Sequence, residues 1–233
     1  MAIKKDKVLE RTKDKVFKKP EEANQQENRE VQITAPNFRV AEFKIKGTTP
    51  YVQLRFFKKG EIQIAHEQGG VSKSKKKREA RDFKNEYEQA KHVSEEGWVG
   101  IPAASFRNAM ISACRIVSFK MTLAKLSVFA DADGLDREEG TPLIKIKGTP
   151  EMVIHHVRNQ TGVVDLRSRA MWREWSATVR IKFDADLFSL QDVTNLMCRV
   201  GQQVGIGEGR PDGKTSAGMG WGLFEVENLG VGI

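Results

Sequence analysis

No run of apolar residues in this chain approaches the length that crossing a bilayer demands. The opening Met1-Ala2-Ile3-Lys4-Lys5-Asp6 has no signal-peptide core, so the expectation is a soluble, cytoplasmic protein with no membrane partner. Cysteine is scarce: Cys114 and Cys198 each fall inside an apolar helical pattern, which reads as two buried thiols rather than a disulfide or a metal site. No zinc ligand set is present, and no metal or cofactor is expected. His66 and His92 lack obvious partners, and the adjacent strand histidines His155 and His156 point to opposite faces, which argues against their sharing a metal. In Asp131-Ala132-Asp133-Gly134-Leu135-Asp136 the glycine comes too early for a calcium loop, which leaves a plain acidic turn. Acidic residues are outnumbered, 31 against 39 Lys plus Arg, and the net charge of +8 points toward a polyanion as partner. With 233 residues and 39% apolar content the chain can bury the core of one large domain or of one domain with insertions.

Residues 1–32 are almost all charged or amide, with too few apolar side chains to anchor a fold, and read as a mobile charged arm. Residues 33–233 read as a single domain. Phe38, Val40, Phe43 and Ile45 lead into Tyr51-Val52-Gln53-Leu54-Arg55-Phe56, where Val52, Leu54 and Phe56 alternate with polar residues as in a first core strand with one buried face. An insertion over about 58–96 follows. It carries glycines, the cation run Lys73, Lys75, Lys76, Lys77 and Arg78, and a helical pattern at Phe83, Tyr87 and Ala90. Such a run is a solvated face or a phosphate-neutralising patch.

From Gly100 the sequence reads Ile101-Pro102-Ala103-Ala104-Ser105-Phe106-Arg107-Asn108-Ala109, a helix opened by proline in its first turn and apolar at Phe106, Ala109, Met110, Ala113 and Cys114. Arg107 and Arg115 lie two turns apart, positioned to track one line along that helix or simply to be solvated. Strands follow at Ile144 and Ile146, at Met152–Val157 and at Thr178–Phe183. Between the last two, Arg158 to Trp175 mixes Arg158, Arg167, Arg169 and Arg173 with Trp172, Trp175 and Met171. Rings that stack on bases and guanidinium groups that hold phosphates suit a single strand, although a hairpin packing its tryptophans in the core reads equally from the same residues. Ser189 and Asp192 make a capping box for a second helix through Val193, Met197, Val200 and Val204.

That helix feeds the stretch Gly205-Ile206-Gly207-Glu208-Gly209-Arg210-Pro211-Asp212-Gly213-Lys214-Thr215-Ser216-Ala217-Gly218-Met219-Gly220-Trp221-Gly222, after which Leu223–Val226 reads as a strand. Glycines such as Gly207 and Gly209 let the backbone come close to a partner, with Arg210 and Lys214 as cations, which suits a phosphate chain. It is not a P-loop: Glu208 stands where the motif needs its first glycine, and the order helix, loop, strand is reversed. The element order strand, helix, strand, strand, helix, strand predicts an α+β fold, a ferredoxin-like or RRM-like β-α-β-β-α-β core with a basic insertion and a hairpin extension.

Three features together resemble the RAMP superfamily of CRISPR-associated proteins, and within it the backbone subunit that polymerises along guide RNA. They are the Gly100–Ala109 helix start, the arginine-rich hairpin, and the loop from Gly205 to Gly222 before the final strand. The resemblance covers about 38–228 and implies that the first helix and glycine loop face the RNA backbone. It also implies that the hairpin, over about 158–176, is a thumb reaching across the neighbouring copy. Carried onto this chain, it implicates Arg107, Arg115, Arg167, Arg169, Trp172, Arg173, Arg210 and Lys214. Asn108 stands where the family often has glycine, and 56–80 contains no aspartate of the kind with which some members cut target RNA.

The function expected is therefore non-catalytic binding of single-stranded nucleic acid, guide RNA or single-stranded DNA, through backbone and stacking contacts, with copies of the chain and other subunits of a CRISPR effector complex as partners. Two readings of the same fold remain beside it: a guide-precursor endoribonuclease using His66, His92, His155 or His156 as base, and a viral single-strand-binding or defence-interfering protein. An interaction protein whose arginines merely solvate the surface is the remaining class.

Overall fold

A computed structural model describes residues 33–55, 81–158, 164–213, 219–227 and 231–232. Phe38–Gly47 forms strand β1, in which Ala41, Phe43 and Ile45 are fully buried while Lys44 is exposed, the period-two pattern of a sheet with one covered face. Tyr51–Gln53 is β2, Phe83–Gln89 is α1, Gly100–Pro102 is β3 and Ala103–Ala113 is α2. A short helix α3, Met121–Ser127, runs directly into β4, Val128–Asp131. The strands β5 (Gly134–Leu135), β6 (Pro142–Lys147), β7 (Glu151–Arg158), β8 (Val164–Trp172) and β9 (Ser176–Asp184) follow. Helix α4, Leu190–Arg199, then widens into a π-turn at Val200–Val204, and β10 (Phe224–Val226) and β11 (Val231–Gly232) close the described chain. The molecule is α+β.

In the main sheet β1 lies between β10 and β9, and β9 pairs on its other edge with β4 and, further along, with β6. Every pairing is antiparallel. The register sets Phe43 opposite Val179 and Ala41 opposite Ile181, so one face of the sheet is a continuous apolar floor. Helices α2 and α4 bury Phe106, Met110, Val193 and Met197 in the same core as that floor. Each such side chain stabilises by about 1.5–3 kcal/mol when taken from water. Ser189 caps α4 in the expected box: its hydroxyl accepts the Asp192 amide at 3.1 Å, and the Asp192 carboxylate accepts the Ser189 amide at 2.9 Å. The Ser189 hydroxyl, which donates to the Asp192 carboxylate at 2.6 Å, and the Ser189 amide together hold that carboxyl below its usual pKa.

A second sheet, β2-β8-β7, is built on a hairpin whose register runs from Glu151–Met171 to Arg158–Val164. It corrects the expectation for β2. The alternation at Val52, Leu54 and Phe56 is not a one-faced core strand: Tyr51, Val52 and Gln53 are all buried, because β2 belongs to this small sheet and is covered on both sides, and Phe56 lies outside the described residues. The thumb expected over about 158–176 is for the most part strand, and its second half, from Ser168 to Trp172, is buried. Helix α1 falls where its apolar spacing puts it, with Asp82 accepting the amides of Lys84 and Asn85. Helix α3 was not expected from the sequence. Among the described residues no helix is long and apolar enough to cross a membrane.

Candidate nucleic-acid interface

The glycine stretch after α4 is a built structure. Gly205 has a φ of 70° and returns its amide to the Val200 carbonyl at 2.7 Å, closing the π-turn. Ile206 is buried and donates to the Gly222 carbonyl at 3.0 Å, and the Glu208 amide donates to Val52 at 2.9 Å, which ties the loop to β2. At Gly207, φ 78°, an added Cβ would stand 2.5 Å from the Tyr51 ring, so only glycine permits this approach. Gly209 is held the same way against the Trp221 indole, at 2.5 Å. The Trp221 ring in turn lies 5.2 Å from that of His155.

Loop, β2 and α2 enclose a cavity of about 430 Å³. Helix α2 presents Ala104, Ser105, Asn108 and Ser112 to it, a polar stripe on an otherwise buried helix. Pro102 occupies the cap position and supplies no side-chain cap. The first-turn amides of α2 thus open beside residues that line the cavity, as helix N-termini do in anion sites. The loop contributes Gly207, Glu208, Arg210 and Asp212. The helix start and the glycine loop, far apart in sequence, therefore meet at one site.

The floor of the cavity carries a polar network. The Gln53 side chain donates to the Gly100 carbonyl at 2.9 Å and accepts the His92 amide at 3.1 Å. The His92 ring, whose Nδ1 is 3.2 Å from Asp136, also lines the cavity. Asp136 is fully buried. It accepts the amides of Glu138 and Glu139 at 2.9 and 3.0 Å, with Arg55 at 3.7 Å. Burial pushes the Asp136 carboxyl up, but those amides and the Arg55 charge outweigh it and hold the group below its ordinary value. Burial pushes His92 down, and the Asp136 contact only partly offsets this. Arg55 is itself anchored by Glu139 at 2.6 Å and Glu138 at 3.1 Å. The expectation that His92 has no partner is thus corrected.

Of the expected contact residues, Arg115, Arg169, Arg210, Gly207 and Gly209 gather at or beside the loop. Arg210 lines the cavity and donates to the Gly207 carbonyl at 3.0 Å. Arg115 donates to Asp212 and to the Ser112 hydroxyl. Arg169, with only 5% of its side chain exposed, pairs with Glu208 at 2.8 Å.

Arg107 does not join them or track a line with Arg115. It donates to the carbonyls of Val128 at 3.1 Å and Lys125 at 2.5 Å, clamping α3 and β4 to α2, and its guanidinium lies 5.2 Å from the Phe129 ring centre. Arg167 and Arg173 sit on the hairpin, paired with Asp165 at 3.6 Å and Glu151 at 2.5 Å. Trp172 is a correction. It has no exposed surface, packs 5.5 Å from the Tyr51 ring in the core, and cannot stack on a base; Trp175 is likewise buried and donates to the Thr49 carbonyl at 2.9 Å. Lys75, Lys76, Lys77, Lys214 and the side chain of Arg158 lie outside the described residues.

The sequence held one unused signal for this site, the spacing of Ser105, Asn108 and Ser112 on an apolar helix. It held none for His92 and Asp136, whose meeting depends on the tertiary fold. Among the described residues no group of acidic, histidine and cysteine side chains is placed to hold a metal ion.

No protein-family model and no curated protein matches the chain. Among solved structures it is similar to a chain of the cryo-EM structure of the Type III-B Cmr-beta bound to cognate target RNA, with 11% identity over 84% of this chain and a TM-score of 0.44. The match spans 61% of that chain. A likeness at that level leaves ligand and role to be argued from the residues themselves.

Proposed function

We propose that this chain is a non-catalytic binder of single-stranded nucleic acid, guide RNA before DNA, which seats a stretch of backbone in the cavity between α2 and the glycine loop. The observation that carries the reading is the convergence of the start of α2, the positive-φ Gly207 of the loop and the Ser105, Asn108, Ser112 and Arg210 residues on one polar cavity. Donors spent on phosphate oxygens carry no sequence information, which suits contact without sequence readout. On this reading β1, α2, β4, β9, α4 and β10, in the spatial order β10-β1-β9-β4, are a ferredoxin-like, RRM-like core. Copies of it repeat along the strand, inside the cell, as one subunit type of a CRISPR effector complex.

The test is binding of a labelled oligouridylate across a salt series, together with elution size before and after RNase. The expected result is affinity that falls linearly in log–log form with salt, and a large particle that collapses on digestion. Binding indifferent to salt would sink the reading, and a particle unchanged by RNase would sink the polymer.

One observation favours a second reading, an endoribonuclease. Among the described histidines, His92 is the one that lines the cavity with a buried carboxylate behind it, an orientation suited to a general base. Cleavage of a labelled precursor RNA that is lost in His92→Ala would establish it; an intact precursor leaves the binder.

A further inference from the structure

The cavity poses a problem of sign. Among the described residues its charged lining is one guanidinium, Arg210, against two carboxylates, Glu208 and Asp212. On a chain with a formal net charge of +8, the described part of this lining carries an excess of negative charge. The two arginines that would reverse that sign are close by, and each is held by one of those carboxylates: Arg169 by Glu208 at 2.8 Å, and Arg115 by Asp212.

We propose that Glu208 and Asp212 stand where phosphates of the bound strand go, so that nucleic acid enters by taking Arg169 and Arg115 from them. This rests on the nucleic-acid reading above and adds what decides entry.

The geometry supports exchange over a permanent lock. Arg169 meets Glu208 through one terminal nitrogen, while its Nε, buried, has no hydrogen-bond partner; the guanidinium fork is half used, although it accommodates a planar or tetrahedral oxyanion with two donors. Asp212 accepts from the Ser112 hydroxyl as well as from Arg115, the pairing of hydroxyl and guanidinium that phosphate oxygens take. Both carboxylates are partly exposed, at 39% and 28% of their side chains, so solvent and an incoming phosphate reach each pair.

Exchange also sets specificity. A single phosphate that displaces a carboxylate trades one charge-assisted pair for another and gains little. A polymer collects several such trades and releases its condensed counterions with each, so the site takes a strand and neglects a mononucleotide or inorganic phosphate.

The deciding experiment measures binding of a fluorescein-labelled oligouridylate across a salt series to wild type, Glu208→Gln, Asp212→Asn and the double variant. Glu88→Gln, which removes the charge of a glutamate on α1 that is 58% exposed and pairs with Lys91, controls for net charge. Each loop variant is expected to bind about threefold tighter and the double variant about tenfold, with the salt slope steeper by about 0.7 for each charge removed. Glu88→Gln should match wild type, and uridine monophosphate should compete poorly with the oligonucleotide on wild type.

Loop variants that bind no tighter than wild type, at an unchanged slope, overturn the proposal and leave the nucleic-acid reading standing, with the carboxylates as clamps of the loop. Absence of binding by every protein at low salt overturns both. If circular dichroism shows Glu208→Gln unfolded, Asp212→Asn decides alone, since Asp212 pairs with an arginine already 57% exposed.

Discussion

At the scale of single residues, His92 is where pH acts on the cavity. Burial lowers its pKa from 6.5, so the unfolded chain takes up a proton at a pH where the folded one still resists it. The stability this histidine contributes is therefore full above 6.5 and is lost as pH falls below that value toward the depressed folded pKa. His155, pushed down by burial and by the charges of Arg169 and His156, adds to the loss with the same sign. We expect the urea midpoint of the wild type to drop between about pH 7.5 and pH 5.5, and the drop to be shallower in His92→Gln. An equal drop in both proteins would show that His92 does not carry it. Why this residue is silent in the sequence is plain from its surroundings: its partner Asp136 is fully buried by elements that pack around both only in the folded chain.

At the scale of elements, the glycine loop separates two costs that a glycine can avoid. Gly222 and Gly220 both have positive φ, 73° and 68°. An alanine methyl at Gly220 meets nothing within 4 Å and bears only the backbone cost, about 1–2 kcal/mol. At Gly222 it would stand 1.8 Å from the Ile206 carbonyl oxygen, which forces the loop off β10. Gly222→Ala is thus expected to lose more than about 3 kcal/mol by urea denaturation, beyond the backbone cost alone, and to lose RNA affinity, while Gly220→Ala keeps its affinity. Equal losses would mean that the loop is not docked as described. Much of this level was legible: the period-two pattern of β1 and β9, the box at Ser189, the proline before α2 and the glycine-rich link all follow from local rules. What local rules miss is sheet membership. Val52 alternates like a strand with one buried face, yet β2 pairs with β8 from a distant part of the chain and is buried throughout, and the seven residues of α3 are too few to be a helix without Arg107 and the core to hold them.

At the scale of the whole molecule, the two sheets share one core. Tyr51 of the small sheet touches Trp172 and Trp175 with ring centres at 5.5 and 5.6 Å, and Trp175 meets Phe224 of the main sheet at 6.0 Å. Trp172→Ala is expected to cost about 3–5 kcal/mol and to lower the far-UV and near-UV transitions together, as one cooperative unit. A variant that keeps the wild-type midpoint but loses RNA binding would instead return this indole to the surface. The sequence shows the mixture of arginine and tryptophan between β7 and β9 but not its sorting. The tryptophans went inside because Tyr51 and Phe224, from distant parts of the chain, complete their packing, and the arginines remained to find carboxylates.

The junction of the two sheets has a mechanical consequence. Strand β8 ends at Trp172 and β9 begins at Ser176, so only Arg173, Glu174 and Trp175 separate the hairpin from the strand at the centre of the main sheet. The hairpin strand is a lever about 30 Å long, at about 3.3 Å per residue, whose fulcrum is a pair of buried indoles. A load applied at the outer end of the hairpin therefore reaches β9 through three residues, of which Trp175 is buried and bonded to Thr49.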